Sequence, residues 1–344
     1  MKNTIKKLDD HYIKWSSVLS GEGFDKKDIE RVWDAYDEPH RFYHNHNHLT
    51  NLEKLINEDT SLKNEDKALL LIAAAYHDIV YVPGNTTNEE ESIEIFREAA
   101  ANSRFFKDEI EAIEKIANII KATGQRNQPD NSMECIFWFM DNQILEANFG
   151  ALFNYEMQIY KEFQKYPYEQ YKEARIKFLT EEHIRTGNPH LLSLCSFIDG
   201  RRPSIGLYTG SFDPFHKGHN NILEKAEKMF DKVIINRGKN PDKAAPVFDL
   251  PTTIMNREIT NWDGLTTDLI KNLLIHSEVT LIRGLRDGKN LDYEVNQLRY
   301  MKDMYSNLNV CFIHCDKEYE HIDSSSIRKI KTFSDEATQK YLII

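Results

Sequence analysis

The spacing of hydrophobic positions changes near residue 200. Through residues 1–199, apolar residues recur three and four apart, as in LTNLEKLI (49–56), KALLLIAAAYHDI (67–79), EAIEKIANIIKA (111–122) and MECIFWFMDNQILEANF (133–149). This period is that of one face of an α-helix. Breaks fall at Pro83-Gly84-Asn85 and between residues 124 and 129. The first part of the chain is therefore predicted to be helical throughout.

A short polar junction at residues 199–203 precedes a different pattern. Short apolar stretches at 204–208, 232–236, 278–283 and 308–314 predict strands, and residues 220–230 and 291–305 predict helices between them. Such alternation is typical of βαβ units and a parallel sheet. We expect a multidomain protein, with an all-α domain over residues 1–199 followed by an α/β domain over residues 204–344.

Length and charge narrow the classes of function. The 344 residues can form two domains, each with its own core. The net charge of −11 argues against a chain that grips nucleic acid through its backbone, whereas small phosphorylated ligands need only a few local arginines.

Targeting signals are also missing from the sequence. No apolar run approaches the roughly 20 residues that span a bilayer, and the first residues lack the apolar core of a signal peptide. Four cysteines make a disulfide framework unexpected. We expect a cytoplasmic protein without a membrane partner; a homo-oligomer is compatible with the sequence.

A turn rich in glycine and histidine, TGSFDPFHKGH (209–219), follows the first predicted strand. In an open parallel sheet, ligands bind where strands end and helix N-termini present free N–H groups. Gly210 and Gly218 would let the backbone approach phosphate oxygens, and Ser211 could donate a hydrogen bond. His216 and His219, three apart at a helix start, could stabilise charge on a phosphate. The alternative is a capped surface turn.

Two further segments end predicted strands with candidate phosphate contacts. Arg283 and Arg286 follow the third strand, and Ser324, Ser325 and Arg328 follow the last one. Both admit ordinary interpretations, because surface arginines are commonly solvated, and Asp323 or Ser324 would serve as a helix N-cap.

Together these segments resemble a known family. TGSFDPFHKGH has the T/HxGH signature of nucleotidyltransferases, which implies a Rossmann-like fold. LIRGLRDGKNLDYEVNQL, DKEYEHIDSSSIRKI and the loop at residues 240–243 resemble the phosphopantetheine adenylyltransferases in order and spacing. The resemblance implies transfer of a nucleoside monophosphate from a nucleoside triphosphate, with Mg²⁺, to a phosphorylated acceptor, releasing pyrophosphate.

The resemblance also implies a role for individual residues. His219 would stabilise the transition state, His216 would contact the triphosphate, and Ser211 would bind a phosphate near the point of attack. Lys243 and Arg283 match the positions that hold the acceptor phosphate. The residues matched to nucleotide binding are Gly210, Phe212, Arg286, Glu294, Ser324, Ser325 and Arg328.

The sequence departs from the family in two places, and these leave the acceptor open. The segment between Lys243 and Leu281 is shorter than usual and carries unfamiliar residues, and HKGH replaces a shorter histidine pattern. Phosphopantetheine is the first expectation for the acceptor, with nicotinamide mononucleotide or another small phosphate as alternatives. ATP is expected as donor, with CTP left open.

Histidines and aspartates at ligand spacing mark the helical part. His77-Asp78 ends an apolar helix, and Asp141 is predicted to lie within an otherwise apolar helix, where an unpaired carboxylate would be unfavourable. His48 opens a helix, and His44, four residues earlier, could share its face. Each residue alone is more often an ordinary core or surface residue than a metal ligand.

Jointly these residues form the His…His-Asp…Asp pattern of HD domains. RFYHNxxH, AAxxHDxVY, Asn88-Glu89-x-x-Ser92 and the FMDNQIL segment resemble HD-superfamily phosphohydrolases over residues 30–195. This implies metal-assisted phosphoester hydrolysis, with His48, His77, Asp78 and Asp141 as ligands and His44 as a ligand or a phosphate contact. Mixed imidazole and carboxylate ligation suits Mn, Fe, Co, Ni or Zn. Asn88, Glu89 and Ser92 would line the pocket or begin the next helix.

The sequence thus predicts a bifunctional enzyme that acts on small phosphorylated metabolites. Three alternatives remain: an HD domain that senses a metabolite without catalysis, a binding protein with two vestigial sites, and an RNA end-processing enzyme. The acidic charge balance speaks against the last.

Overall fold

The computed structural model describes residues 10–238, 247–286 and 288–343. They divide into two compact units. The first contains the residues up to Glu162 together with Leu179–Leu194, and the second contains Phe163–Phe178 together with the residues from Cys195 onward. The domain boundary predicted at 199–204 stays a prediction, because the last two helices before it each contribute residues to both units.

Helices make up the first unit, as predicted. In chain order they are α1 (Asp10–Gly21), α2 (Lys26–Tyr36), α3 (His46–Glu58), α4 (Asn64–Tyr76), α5 (Asn88–Asn102), α6 (Ile110–Thr123), α7 (Ser132–Asp141) and α8 (Phe149–Glu162), followed by α9 (Tyr168–Thr186) and α10 (Pro189–Gly200). Among the described residues, no helix is both long and apolar enough to cross a membrane.

The apolar spacing read from the sequence is the spacing of the core. In α3, Leu49, Leu52 and Ile56 are essentially without solvent contact, and this helix packs against α4 and α7 within the apolar core of the unit. The apolar stretch 133–149 differs from expectation because it is interrupted. Helix α7 ends at Asp141, where Asn142 bonds back to the Trp138 carbonyl, and a short 3₁₀ turn (Gln143–Glu146) follows. Asp141 therefore lies at a helix end rather than inside a helix.

The second unit is built on a five-stranded parallel sheet. Its strands are β1 (Ser204–Gly210), β2 (Lys232–Arg237), β3 (Ile259–Thr260), β4 (Glu278–Leu285) and β5 (Val310–His314), in the order β3-β2-β1-β4-β5. The helices described here are α11 (Lys217–Ala226), α12 (Thr266–Leu273), α13 (Gly288–Met304), α14 (Ser324–Lys331) and α15 (Asp335–Gln339). The predicted Rossmann-like α/β fold class is confirmed.

Both faces of this sheet are buried. Successive residues of β1 point to opposite sides, so that Ile205 and Leu207 join one apolar cluster and Tyr208 joins the other. Helices cover the two faces, α11 on one side and α12 and α13 on the other. Parallel sheets covered on both faces have strands of almost continuous apolar sequence, which is why these strands are recognisable from sequence.

The sequence pattern predicts no strand or helix between β2 and β4. It contains β3, which pairs with the end of β2, and helix α12. The carboxamide oxygen of Asn236 accepts hydrogen bonds from the Thr260 hydroxyl and from the Trp262 N–H group. A two-residue edge strand held by a side chain carries too little pattern to be predicted.

A buried lysine ties residues 163–166 to the sheet. The Lys232 side chain at the start of β2 has no exposed surface, and its Nζ lies 2.6 Å from the Glu258 carboxylate. It also donates to the backbone carbonyls of Gln164, at 2.9 Å, and Tyr166. Since these carbonyls precede α9, the contact explains why residues 163–178 group with the second unit.

Replacing this lysine should destabilise the second unit. In Lys232→Met, the Glu258 carboxylate and two carbonyls lose a buried cation, and removing one member of a buried pair costs about 3–5 kcal/mol. Hydrogen exchange of the β1 and β2 amides, together with urea unfolding, would measure the loss. Lys228→Met, at an exposed lysine nearby, is the control and should change the free energy of unfolding little. Equal stability of the two variants would contradict the role given to Lys232.

Candidate functional site

Four predicted ligands of the first unit meet at one point. His48 comes from α3, His77 and Asp78 directly follow α4, and Asp141 ends α7. The Nε2 atoms of His48 and His77 are 3.2 Å apart. Asp141 Oδ1 lies 3.2 Å from the first of these nitrogens, and Asp78 Oδ2 lies 3.0 Å from the second. Within the described ranges, His48, His77 and Asp78 can hold a metal ion.

The hydrogen bond of His77 Nδ1 leaves its Nε2 atom available to bind a metal. Its Nδ1 lies 2.9 Å from the Ala74 carbonyl oxygen. A carbonyl can only accept, so Nδ1 carries the proton and donates it. The Nε2 atom of the neutral ring then has its lone pair directed at the cluster. A backbone partner of this kind is usual for metal-binding histidines.

The electrostatics of the cluster also favour a cation. Burial disfavours the charged forms of His77, Asp78 and Asp141, but their mutual attraction outweighs it. The pKa of each aspartate therefore lies below its ordinary value, and the pKa of His77 lies well above. Two partly buried carboxylates held together in this way need a positive charge beside them.

A divalent metal fits these residues. Ligand atoms bound at about 2.0–2.2 Å to one ion lie roughly 3–3.6 Å from one another, and the pairs above are 3.0–3.2 Å apart. Two imidazoles with two carboxylates form a donor set typical of Mn, Fe, Co, Ni or Zn sites.

His44 adjoins this cluster, with its ring centroid 5.7 Å from that of His48, but it is not among the three residues that can hold a metal ion together. The expectation that His44 and His48 share a helical face is wrong, because α3 begins at His46 and His44 precedes it in a loop. Its Nδ1 is 2.7 Å from Glu162 Oε2, and its ring stacks on Tyr81 with centroids 4.2 Å apart. Burial disfavours the imidazolium, yet the adjacent Glu162 carboxylate raises the pKa of His44 above its ordinary value.

Glu162 is a residue of the candidate site that the sequence analysis did not identify. Its Oε1 accepts the backbone N–H groups of residues 42, 43 and 44 at 2.7–2.9 Å, and its Oε2 also accepts the Tyr81 hydroxyl. Burial works against its charge, but His44 and these donors lower the pKa of Glu162 to about 2. The only signal in the sequence is an acidic residue at the end of an apolar helical face, which is common on helices that are merely exposed.

Side chains at the start of α5 hydrogen-bond to the preceding loop at Val80 and Val82. The Asn88 carboxamide bonds both backbone groups of Val82 at 3.1 Å, and the Ser92 hydroxyl accepts from the Val80 N–H group. Glu89 lies against Gly124, where an added Cβ would come within 2.7 Å of its carboxyl carbon. Burial raises the pKa of Glu89, as does the Asp78 charge. Asn88 and Ser92 are thus engaged by the loop, and Glu89 is electrostatically coupled to the cluster.

A cavity in the second unit lies where the sheet order reverses. From β1 the chain adds strands first on one side, as β2 and β3, and then on the other, as β4 and β5. Ligands bind outside the carboxyl ends of the strands at such a point. This cavity of about 290 Å³ lies at the ends of β1 and β4. It is lined by the glycine- and histidine-rich turn, by the two arginines and by a serine cluster formed by Ser324 and Ser325. The lining residues predicted from the sequence are Gly210, Ser211, Phe212, His216, His219, Arg283, Arg286, Glu294, Ser324 and Ser325.

Glycines in the turn make room for specific rings. An added Cβ at Gly210 would come within 2.9 Å of the Phe212 ring, and one at Gly218 within 3.1 Å of the His216 ring. Phe212 itself has a positive φ of 45° and is almost completely buried against Tyr208. The turn is therefore shaped by packing as well as by its exposed donors.

His216 and His219 cap the helix for each other. His216 Nδ1 accepts the His219 N–H group at 3.4 Å, and His219 Nδ1 accepts the His216 N–H group at 3.3 Å. In a neutral imidazole whose Nδ1 accepts, the proton is on Nε2. The rings stack with centroids 3.7 Å apart. The start of α11 thus fixes the orientation of two Nε2–H donors, and both histidines line the cavity.

Both histidines remain neutral at physiological pH. Burial and the Arg286 guanidinium lower the pKa of His216 to about 4. Burial, with His216 and Arg286, brings the pKa of His219 well below its ordinary value. The two rings can therefore stabilise negative charge by donating hydrogen bonds without transferring a proton.

Arg283 in β4 and Arg286 directly after it are held differently. Arg283 forms an ion pair with Glu294 and donates to the Thr209 hydroxyl at 3.1 Å. Arg286 lines the same cavity, and its contact with the Ile322 carbonyl is long, at 3.5 Å. Glu294 thus orients Arg283, although the family resemblance placed these two residues on different substrates.

The serine cluster is fastened to the turn. Asp323 caps α14 by accepting the Ser326 N–H group, and the Ser324 hydroxyl donates to the Pro214 carbonyl at 3.1 Å. Arg328 donates to the Asp213 carbonyl and to the Ser325 hydroxyl. It is not among the residues that line the cavity, so its contacts here hold the turn in place.

The predicted acceptor contact at Lys243 lies outside the described residues, as does the rest of the loop at 240–243.

Comparisons with known proteins agree with this architecture. The family model described as HD domain matches residues 41–177, and the one described as Cytidylyltransferase-like matches residues 207–330. A phosphopantetheine adenylyltransferase of Mycoplasma capricolum subsp. capricolum is 33% identical over 139 residues, which are 38% of this chain and 97% of that protein.

Two further relatives carry the same name. One from Mycoplasma mycoides subsp. mycoides SC is 34% identical over 137 residues (37% of this chain, 96% of that protein), and one from Streptococcus pneumoniae strain R6 is 32% identical over 142 residues (38% and 86%). The protein is thus an HD domain joined to a cytidylyltransferase-like nucleotidyltransferase domain. Through its C-terminal region the chain belongs to the phosphopantetheine adenylyltransferase family.

The tautomers of the two histidines can be tested by NMR of the imidazole nitrogens. We expect His216 and His219 to keep the neutral Nε2–H form from pH 8 to about 5, where a histidine of ordinary pKa near 6.5 is protonated. Because folding lowers both pKa values, protonation favours the unfolded chain, and the stability of the second unit should fall as the pH drops from about 6.5 toward 4. Protonation of either ring near pH 6.5 would contradict the capping arrangement.

Proposed function

We propose that the C-terminal domain transfers an adenylyl group from ATP to a small phosphorylated acceptor and releases pyrophosphate. One observation carries the proposal. The reciprocal capping of His216 and His219 presents two neutral Nε2–H donors in a cavity that also contains Arg283 and Arg286. Such preset donors and charges are what an in-line displacement at phosphorus requires.

In this reaction an oxygen of the acceptor phosphate attacks the α-phosphorus of the triphosphate, and the bond to the β-phosphate oxygen breaks. His219 would donate to the equatorial oxygens as negative charge develops there, and His216 would contact the triphosphate. Arg286 would hold the nucleotide phosphates. Arg283, oriented by Glu294, would hold the acceptor phosphate. Mg²⁺ bound to the triphosphate would neutralise part of its charge.

Phosphopantetheine is the acceptor that we propose. Its support is the name of the relatives that cover this region, which are phosphopantetheine adenylyltransferases. Nicotinamide mononucleotide is the alternative, motivated by the HKGH pattern and by the short segment between β2 and β4. A panel of acceptors with ATP or CTP, scored by pyrophosphate release, would identify the pair of substrates.

Removing the His219 ring should reduce the transferase rate and, because this ring also accepts the His216 N–H group, lower the stability of the second unit. His219→Ala loses one donor to the developing charge, and such a loss lowers kcat by about 10²–10³-fold. Pyrophosphate release with ATP and phosphopantetheine is the assay. His321→Ala, at an exposed histidine of the same domain, is the control and should keep the full rate. A His219→Ala protein as active as this control would refute the proposed role.

We propose that the HD domain hydrolyses phosphoesters with a divalent transition metal. His48, His77, Asp78 and Asp141 would hold the ion, which would lower the pKa of a bound water and polarise a phosphoryl oxygen. His77 is kept in the ligating tautomer by the Ala74 carbonyl. His44, positioned by Glu162 rather than by the cluster, would contact the phosphoryl group of the substrate.

Metal content and hydrolysis should depend on the same residues. His77→Ala removes one of four ligands, and we expect bound Mn²⁺, measured by calorimetry and by elemental analysis, to fall at least about tenfold. Hydrolysis of p-nitrophenyl phosphate should fall with it. His190→Ala, at an exposed histidine of the first unit, should bind the metal like the unmodified protein.

The same experiment separates this proposal from its rivals. A protein that binds Mn²⁺ through His77 but hydrolyses no phosphoester would be a metabolite sensor. A protein that neither binds Mn²⁺ nor releases pyrophosphate would have two vestigial sites.

A further inference from the structure

A cleft beside the cluster of His48, His77, Asp78 and Asp141 is lined mainly by uncharged polar and apolar side chains. It has a volume of about 600 Å³ and reaches His48, one of the proposed ligands. Its walls come from three parts of the first unit: the loop and helix start at residues 42–51, the 3₁₀ turn that follows α7, and α8. A substrate whose phosphate lies at the cluster can extend its organic part into this cleft.

Carboxamide side chains dominate the walls. They are Asn45, Asn47, Asn51, Gln143 and Gln158. The Asn45 side chain is already used, because it caps α3 and donates to the Phe42 carbonyl. The other four side chains form no hydrogen bond with another residue in the part of the chain that the structure describes. Four amides from three elements thus present free donors and acceptors to one space.

The cleft offers little to a phosphate chain. None of its lining residues is a lysine or an arginine, and Glu146 adds a negative charge. The cavity of the second unit is the opposite, since Arg283 and Arg286 line it. A polyphosphate would lack cationic partners in the cleft, whereas a neutral group rich in donors and acceptors would find partners.

The remaining walls suit a flat ring. Phe42 is 38% exposed, and Tyr43 and Ile144 also line the space. The Lys161 ammonium lies 5.3 Å from the Phe42 ring centroid and so occupies one side of that ring. Aromatic side chains stack on nucleobases, and asparagine and glutamine pair with their edges through one donor and one acceptor. These two features together are those of a nucleoside site.

We propose that the cleft binds the nucleoside of a nucleoside monophosphate whose phosphate lies at the cluster of His48, His77, Asp78 and Asp141. This inference rests on the proposed hydrolytic function and names its substrate class. The amides select the base and the ribose, and the lining, which contains Glu146 but no lysine or arginine, disfavours an additional phosphate in the cleft.

Equilibrium binding tests the assignment without relying on turnover. AMP, ribose 5-phosphate and inorganic phosphate are titrated calorimetrically into the full chain with Mn²⁺, in an Arg286→Met background that weakens nucleotide binding in the second unit. We expect AMP to bind at least about tenfold more tightly than ribose 5-phosphate. Gln158→Leu and Asn51→Leu should each remove about tenfold of the AMP affinity, because each abolishes one pair of hydrogen bonds.

The chain offers a matched control on the same helix. Asn154 is also an exposed carboxamide of α8, one turn before Gln158, but it does not line the cleft. Asn154→Leu should leave the AMP affinity unchanged, and none of the three variants should alter binding of inorganic phosphate. Equal affinities for AMP and ribose 5-phosphate, or cleft variants that bind AMP like Asn154→Leu, would overturn the assignment.

Hydrolysis of p-nitrophenyl phosphate, which has no nucleoside, separates this inference from the function on which it rests. If hydrolysis is absent while AMP binding still depends on Gln158 and Asn51, the hydrolytic function fails and the nucleoside site stands. If hydrolysis persists while the cleft variants leave AMP binding unchanged, the nucleoside site fails and the hydrolytic function stands.

Discussion

The Glu162 carboxylate accepts three consecutive backbone N–H groups, an imidazole and a phenol at a point with almost no solvent. A buried carboxylate is tolerated only when its oxygens are fully paired. Here the pairing fixes the path of residues 42–44, which lead directly into α3 and so to His48. The satisfaction of this one charge therefore sets the orientation of His44, the start of α3 from which His48 approaches His77, and one wall of the adjacent cleft.

In the second unit, neutral imidazoles, rather than a carboxylate, pair with otherwise unpaired backbone N–H groups. A helix start leaves N–H groups without partners. At the start of α11 two of these groups, those of His216 and His219, donate to the same two rings that would meet the substrate. Capping and chemistry are therefore not separate properties of His216 and His219. Each ring's Nδ1 accepts a backbone N–H group, so only Nε2–H is left to contact a substrate. The lowered pKa of both rings keeps them neutral, so that they donate hydrogen bonds through Nε2–H without transferring a proton.

The sequence predicts most where a residue's role depends on its neighbours along the chain. The strands around Leu207, Ile234 and Leu281 are continuous apolar runs because both sheet faces are covered, and the cluster of His48, His77 and Asp78 follows from a recognisable motif. Glu162, Asp213 and Lys232 could not be identified in this way, since their partners lie far away in sequence and an acidic or basic residue on a helix or strand end is ordinary. His44 was misplaced for a similar reason: a four-residue spacing implies a shared face only inside a helix, and the helix begins later.

The two sites differ in how they would recognise phosphate, and this difference constrains what each can bind. In the second unit, phosphate recognition is direct, through arginine charge and imidazole donors that line the same cavity. In the first unit, the partly buried carboxylates of Asp78 and Asp141 would repel a phosphate unless a cation is held between them. In the proposed hydrolase, affinity there would come from the bound cation and from the neutral part of the substrate. A cleft with free carboxamides and without lysine or arginine supplies that second contribution, so the discrimination between phosphoesters at the HD domain should lie in the organic group rather than in the number of phosphates.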